Sequence, residues 1–175
     1  MSGLVEQAIA FAEKAHAGQK RAYSKAPYWT HPKRVGDRAA KLGLPEWAVA
    51  AAYLHDVIED CGVKYESLRR AFTFETAHAV RELSNQDRSS ARDVRKRFDR
   101  RRLARCSDEV KTIKLLDRID NLTELREDAK TNAKARKFLP TYVRESVLLL
   151  TAIGDANEAL ALEMFDLLAQ MATVS

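Results

Sequence analysis

The segment from Glu46 to Asp60 constrains the fold more than any other part of this 175-residue chain. Its residues are almost wholly apolar as far as Leu54, and it then ends in the ionisable run His55-Asp56-Val57-Ile58-Glu59-Asp60. Pro45 directly precedes this segment, and proline is common at the start of a helix. A helix that is apolar on every side is buried at the centre of its domain. The sequence therefore predicts a central helix over 46–60 that carries charged groups at one end.

Residues that favour turns and strands are scarce, which argues against β folds. The chain has 6 glycines and 4 prolines, whereas a β-sandwich or barrel needs turn signals every ~8–12 residues. Its 27 alanines and 19 leucines outnumber the 16 valines and isoleucines, and this balance favours helix over strand. We expect one all-α domain, a helical bundle over 1–175, with helices near 2–17, 32–42, 46–60, 64–72, 75–85, 90–105, 107–129, 140–153 and 156–172.

Three residues set the expected helix boundaries. Ser2 is predicted to cap the first helix. Pro32 is expected to hold His31 in an extended conformation and to occupy the first turn of the next helix. Pro140 is expected to begin a helix after a polar link over 130–136.

The net charge of +5 belongs to one segment of the chain. Between Arg88 and Arg105 nine basic residues accompany two acidic ones, which makes this segment +7 and the other 157 residues −2. Three interpretations are open: a solvated helix face, arginines that attract a polyanionic substrate to a nearby site, or a nucleic-acid surface. Phe98 is the only aromatic residue of the segment, so it offers no stacking platform for bases and nucleic acid is the least favoured partner.

The cysteines and the amino terminus predict the compartment. Cys61 and Cys106 show no CxxC or zinc-type spacing and are expected to be thiols in a reducing environment. The amino terminus lacks the basic and apolar regions of a signal peptide, and the longest apolar stretch, near 147–150, is too short to span a bilayer. We expect a cytoplasmic protein without a membrane partner.

The end of the central helix carries a candidate site. On a continuous helix His55 and Glu59 lie four residues apart, and Asp56 lies three residues before Glu59, so the three share one face. An imidazole beside a carboxylate suits a divalent cation, and the Glu59-Asp60 pair one turn away suits acid–base work on a water molecule. The simpler interpretation is a core histidine with satisfied hydrogen bonds and an acidic, solvated helix end.

Two further motifs make the metal hypothesis more specific. His31 stands in the sequence Tyr28-Trp29-Thr30-His31-Pro32, and Asp117 and Asn121 interrupt the apolar stripe of a helix over 110–125. Taken singly, His31 is more simply a loop histidine, and Asp117 fits a polar face whose phase has been misassigned. The ordered set H…HD…D is more specific than any one of these motifs.

This order of motifs resembles the HD-domain phosphohydrolases and, within them, the hydrolase domain of the RelA/SpoT homologues in its small stand-alone form. The matching phrases follow the family's order over roughly the first 125 residues, and the most specific are HDxxED at 55–60 and LxDRxxN at 115–121. The resemblance implies a hydrolase that removes pyrophosphate from the 3′ position of guanosine tetra- or pentaphosphate alarmones, typically with Mn²⁺.

The resemblance also implies a role for individual residues. Four are expected to ligate the metal: His31, His55, Asp56 and Asp117. Two carboxylates, Glu59 and Asp60, are expected to orient and activate the attacking water. Four residues are expected to contact the substrate: Arg21 and Asn121, with Lys20 and Arg118 as weaker candidates.

Chemistry supports an open catalytic site but leaves the metal and the base undecided. Two imidazoles and two carboxylates leave coordination positions for water and substrate, and mixed N/O ligands also suit Fe²⁺, Co²⁺ or Zn²⁺. Ala22, Cys61 and Asp120 depart from the family's usual residues, which keeps an adenosine alarmone possible as substrate.

Two further functions are compatible with the same scaffold. One is that of a different HD-domain nucleotide phosphohydrolase, and the second is that of a non-catalytic module that binds an alarmone or nucleic acid. Glu59 and Asp60 argue against a binding module, because such a module needs no water-activating pair.

Overall fold

The computed structural model describes residues 3–85 and 89–172, which are helical with no β-strand among them. The prediction of an all-α fold is confirmed. No helix in the described ranges is long and apolar enough to cross a membrane. The helices are α1 Leu4–Ala15, α2 Thr30–Lys41, α3 Glu46–Leu54, α4 Val57–Cys61, α5 Tyr65–Ala71, α6 Phe74–Leu83, α7 Arg92–Leu103, α8 Asp108–Thr131, α9 Ala133–Ile153 and α10 Glu158–Ala172, with a short 3-10 turn at Gly154–Ala156.

The chain forms two compact units. The first unit comprises Met1–Lys20 and Ala26–Ser89 and contains α1 to α6. The second comprises Arg21–Lys25 and Ser90–Ser175 and contains α7 to α10.

Helix α3 is the centre of the first unit. All of its residues from Ala48 to Leu54 are buried, and it packs against α1, α2 and α6. Four alanines in this stretch have no exposed surface, which lets the neighbouring helices approach closely. The prediction of a buried central helix is therefore confirmed for 46–54.

The prediction of one continuous helix over 46–60 is wrong. Helix α3 ends at Leu54, and α4 begins at Val57. Nδ1 of His55 lies 2.8 Å from the carbonyl oxygen of Ala52. A side chain that hydrogen-bonds a carbonyl of the preceding turn competes with the backbone ladder and interrupts the helix. His55 and Asp56 therefore occupy the junction between two helices.

Two other boundary predictions are also wrong. His31 lies inside the first turn of α2 instead of in an extended segment, because Pro32 occupies a position where a missing N–H costs no helical hydrogen bond. Helix α9 begins at Ala133, since the side chain of Asn132 accepts hydrogen bonds from the first backbone N–H groups of that helix. Pro140 consequently lies inside α9. Ser2, the predicted first cap, lies outside the described residues.

In the second unit, α8 packs against α9 and α10, and α7 packs against α9. The prediction of a helix over 107–129 is confirmed, with α8 continuing to Thr131. Near the end of α8 a small apolar cluster of Leu125, Ala129 and Ala135 contacts Tyr23 and residues of α9. This cluster places the loop 21–25 against α8.

Helices α2 and α3 pack closely together at Gly36. A Cβ atom added to Gly36 would lie 2.4 Å from Cδ1 of Tyr53. The Tyr53 side chain is buried and its hydroxyl donates to Asp37 at 2.6 Å, so the ring cannot easily move aside.

We expect Gly36→Ala to lower the free energy of unfolding by about 1–3 kcal/mol, because the added methyl overpacks a filled core. Gly3→Ala is the matched control, since its Cβ would meet Glu46 at an ordinary 3.7 Å. Urea denaturation of the two variants and the parent protein measures the difference. Equal losses for both variants contradict the assignment of close helix packing to Gly36.

Candidate metal centre

Two buried imidazoles face each other in the first unit. His31 stands in the first turn of α2 and His55 at the end of α3, and their exposed fractions are 0% and 2%. Their Nε2 atoms lie 3.2 Å apart, and the rings meet edge to face with centroids 5.1 Å apart.

The hydrogen bond of His55 to the backbone fixes its tautomer. A carbonyl oxygen can only accept, so the bond to Ala52 places a proton on Nδ1 of His55. In the neutral ring Nε2 then carries a lone pair directed at His31. A metal-ligating histidine commonly donates its other N–H to a carbonyl in this way.

Asp56 completes the cluster in this unit. Its Oδ2 lies 3.2 Å from Nε2 of His55 and 3.6 Å from Nε2 of His31. Two imidazole nitrogens and one carboxylate oxygen thus converge in a buried place. This His/Asp cluster suits a divalent metal ion, since borderline metals take nitrogen and oxygen ligands together.

The two carboxylates of the HDxxED motif have different surroundings. Oε2 of Glu59 accepts the backbone N–H of Asn85 at 3.0 Å, which holds that side chain towards the end of α6. Oδ2 of Asp60 accepts the hydroxyl of Tyr28 at 2.6 Å. Burial, and next the negative charge of Asp56, raise the pKa of Asp60 above its ordinary value.

Tyr28 is a part of the site to which the sequence analysis assigned no role. Its hydroxyl lies 2.8 Å from Oδ2 of Asp56 and 2.6 Å from Oδ2 of Asp60. Burial, together with these two carboxylates, raises the pKa of the Tyr28 phenol, so it stays protonated. The available signal was the position of Tyr28 three residues before His31, in the turn that leads into α2.

In the second unit, α8 brings together the polar residues predicted there. Asp117 is 5% exposed; its Oδ1 accepts Nδ2 of Asn121 at 2.6 Å, and its Oδ2 lies 2.7 Å from Nζ of Lys114. Oδ1 of Asn121 accepts a guanidinium N–H of Arg21 at 2.6 Å. The structure therefore links Arg21, Asn121 and Asp117 in one chain of hydrogen bonds.

Glu124 was missed by the sequence analysis. It lies three residues after Asn121 on the same face of α8 and accepts Nε of Arg21 at 2.9 Å and the hydroxyl of Ser24 at 3.1 Å. Glu124 thus orients the loop that carries Arg21.

The two weaker substrate candidates have contrasting positions. Lys20 is exposed in the first unit and forms an isolated bridge with Pro27. Arg118 is 4% exposed; its guanidinium lies 4.4 Å from the ring centroid of Tyr142, and Nη1 donates to Ser146 at 3.3 Å.

The basic segment forms α7 in its described part. Arg92 is paired with Glu145 at 2.7 Å, and Arg102 with Asp99 at 3.1 Å. A groove of about 540 Å³ between α7 and α9 is lined by four cations, Arg92, Lys96, Arg100 and Arg144, and by the carboxylates of Asp93 and Glu145. Attraction of a polyanionic substrate to this segment stays a prediction.

Comparisons with known proteins agree with these motifs. A family model described as "HD domain" matches residues 8–144. The chain is 38% identical over 146 residues to a guanosine-3′,5′-bis(diphosphate) 3′-pyrophosphohydrolase of Vibrio cholerae, which covers 79% of this chain and 20% of that protein. It is 31% identical over 128 residues to the guanosine-3′,5′-bis(diphosphate) 3′-pyrophosphohydrolase MESH1 of Xenopus tropicalis, with 71% of each chain covered.

A solved structure shares the fold over nearly the whole chain. The TM-score is 0.84 at 26% identity, with 97% of this chain and 96% of the other covered, and that protein is described as a metazoan ortholog of SpoT that hydrolyzes ppGpp. The chain spans only about a fifth of the length of the first bacterial relatives it matches, 18% to 20%.

The free energy of unfolding is expected to depend on pH through the lowered pKa of Lys96. Burial, and next the positive charges of Lys114 and Arg118, lower the pKa of Lys96 to about 8 from 10.5. Between these values the unfolded chain binds the proton and the folded protein does not, so this contribution to stability rises as pH increases from about 8 to 10.5. In Lys96→Met this rise of about 2–3 kcal/mol, at about 1.4 kcal/mol for each pKa unit, is lost. Urea denaturation at pH 7.5, 9 and 10 measures the free energy of unfolding of both proteins. If that free energy changes with pH equally in the parent and in Lys96→Met, the prediction is contradicted.

Proposed function

Because the chain belongs to the HD-domain family, we propose that it is a metal-dependent hydrolase of ppGpp and pppGpp. It removes the 3′-pyrophosphate and leaves GDP or GTP. The observation that carries the proposal is the convergence of His31, His55 and Asp56 next to the Glu59-Asp60 pair. The names of the relatives from Vibrio and Xenopus point to this substrate class.

The metal site of the proposed enzyme is formed by His31, His55 and Asp56, with Asp117 as the fourth ligand. The support for Asp117 is its place in the ordered H…HD…D set and its burial on α8. We propose Mn²⁺ as the ion, on the family resemblance and on the mixed N/O ligands. A divalent cation in such a site polarises a phosphoryl oxygen and lowers the pKa of water.

Glu59 and Asp60 orient the attacking water and receive its proton in the proposed reaction. Both follow Asp56 within one turn of α4, so they stand next to the metal ligands. The raised pKa of Asp60 brings this carboxyl closer to the pH at which a general base both accepts and releases protons.

The residues proposed to contact the substrate lie in the second unit, apart from Lys20 at the end of a segment of the first unit. Arg21 and Asn121 are the principal contacts, with Lys20 and Arg118 as further cations. Glu124 and Asn121 hold the guanidinium of Arg21 in a fixed plane, and such a planar donor suits bidentate binding of phosphate. We also propose a cytoplasmic location, in agreement with the two thiols, Cys61 and Cys106.

The activity is tested by incubating the purified protein with ppGpp and Mn²⁺ and separating products by chromatography. We expect GDP and pyrophosphate, and a loss of at least about 100-fold in Asp56→Asn, which removes a charged metal ligand. Parallel incubations contain pppGpp, the adenosine analogue and deoxynucleoside triphosphates. If the alarmones stay intact while deoxynucleoside triphosphates are hydrolysed, the proposal is overturned. If pyrophosphate is released faster from the adenosine analogue than from ppGpp, the preferred nucleobase is adenine instead of guanine.

A second variant separates metal binding from proton transfer. We expect Glu59→Gln to bind Mn²⁺ with the parent affinity, because the amide leaves the three ligands of the first unit in place, and to lose about 10²–10⁴-fold in kcat. Isothermal titration calorimetry gives the affinity and the chromatographic assay gives kcat. Loss of Mn²⁺ binding in this variant makes Glu59 a metal ligand and refutes its role as a base.

A further inference from the structure

We propose that Tyr28 is a positioning residue whose single hydroxyl proton couples occupation of the metal site to alignment of Asp60. The inference rests on the proposed function, because Asp60 acts there on the attacking water. Within the motif from Tyr28 to Pro32, only His31 has a role in the proposed function. The inference adds a role for Tyr28.

The geometry at the Tyr28 hydroxyl makes two carboxylates compete for one proton. The phenolic oxygen lies 2.8 Å from Oδ2 of Asp56 and 2.6 Å from Oδ2 of Asp60. A hydroxyl donates one hydrogen bond at a time. When both carboxylates are charged, only one of them can therefore accept from Tyr28 at a time.

The oxygen of Asp56 that faces Tyr28 is the same oxygen that faces the two imidazoles. Oδ2 lies 3.2 Å from Nε2 of His55 and 3.6 Å from Nε2 of His31. A cation held by these three groups satisfies this oxygen and weakens it as a hydrogen-bond acceptor. The Tyr28 hydroxyl then donates to Asp60, which orients that carboxylate only when the site is loaded.

The ring of Tyr28 is fixed well enough to act in this way. It stacks on the buried imidazole of His16, with centroids 4.9 Å apart and an interplanar angle of 20°. Nδ1 of His16 lies 2.8 Å from Oε1 of Gln19, and Nε2 of Gln19 donates to the backbone oxygen of Asp60 at 3.1 Å. His16, which supports the ring of Tyr28, is thus connected through Gln19 to the backbone of Asp60.

The test compares Tyr28→Phe with Tyr53→Phe as a matched control. Tyr53 also donates its hydroxyl to a carboxylate of the same unit, Asp37 at 2.6 Å, which is not one of the proposed metal ligands. For each variant, calorimetry gives the Mn²⁺ dissociation constant, and the ppGpp assay gives kcat and KM. Circular dichroism confirms that both variants are folded.

In Tyr28→Phe we expect kcat to fall about 10–100-fold while KM for ppGpp changes by less than about twofold, because Asp60 loses its orienting donor. The Mn²⁺ dissociation constant is expected to fall about three- to tenfold, since the cation no longer displaces a hydrogen bond from Asp56, and an unchanged constant contradicts the coupling. Tyr53→Phe is expected to keep the parent values of all three constants.

The opposite pattern overturns the inference. Weaker Mn²⁺ binding in Tyr28→Phe shows that the hydroxyl merely supports the metal ligand, and a raised KM with unchanged kcat shows that it contacts substrate. If the parent protein binds Mn²⁺ but leaves ppGpp intact, the proposed function fails by itself. The comparison of Mn²⁺ affinity between the two variants then still tests the competition for the proton.

Discussion

The hydrogen bond from Nδ1 of His55 to the carbonyl of Ala52 governs the first unit and its chemistry. It ends α3 at Leu54 and lets α4 begin at Val57, so the chain turns at His55 and Asp56. The same bond leaves the lone pair of Nε2 directed at His31. A single side-chain interaction therefore bears on the local backbone and on the tautomer that a metal ligand needs in its neutral ring.

Burial gives this junction its electrostatic character. The alanine-rich face of α3 brings α1, α2 and α6 so close that His31 and His55 are almost fully covered. Charged carboxylates near such a centre are costly unless they are paired. Asp56 meets two imidazoles and Tyr28, while Asp60 has a raised pKa because its own desolvation is only partly offset. A divalent cation relieves this imbalance, which is a physical reason to expect one here.

The sequence predicted the helical class, the buried centre and the motif positions, but not the interruptions that shape the site. Periodicity records which residues are apolar, and by that measure 46–60 is one helix. The break at His55 and the start of α9 directly after Asn132 both involve side chains that bond to nearby backbone groups. The contacts of Tyr28 could not be predicted from periodicity either, because its partners Asp56 and Asp60 are 28 and 32 residues away in the chain.

The polar stripe of α8 shows how a largely buried helix can hold a neighbouring loop in place. Lys114 pairs with Asp117, and Asp117 accepts a hydrogen bond from Asn121. Asn121 in turn accepts from Arg21, which also donates to Glu124. Each polar group in this series is satisfied by its neighbour, so burial costs little. Because Arg21 stands on the loop 21–25, this series fixes the loop on α8 within the second unit. A change at Asp117 therefore alters the support of Arg21 through Asn121 as well as any ligand that Asp117 itself holds.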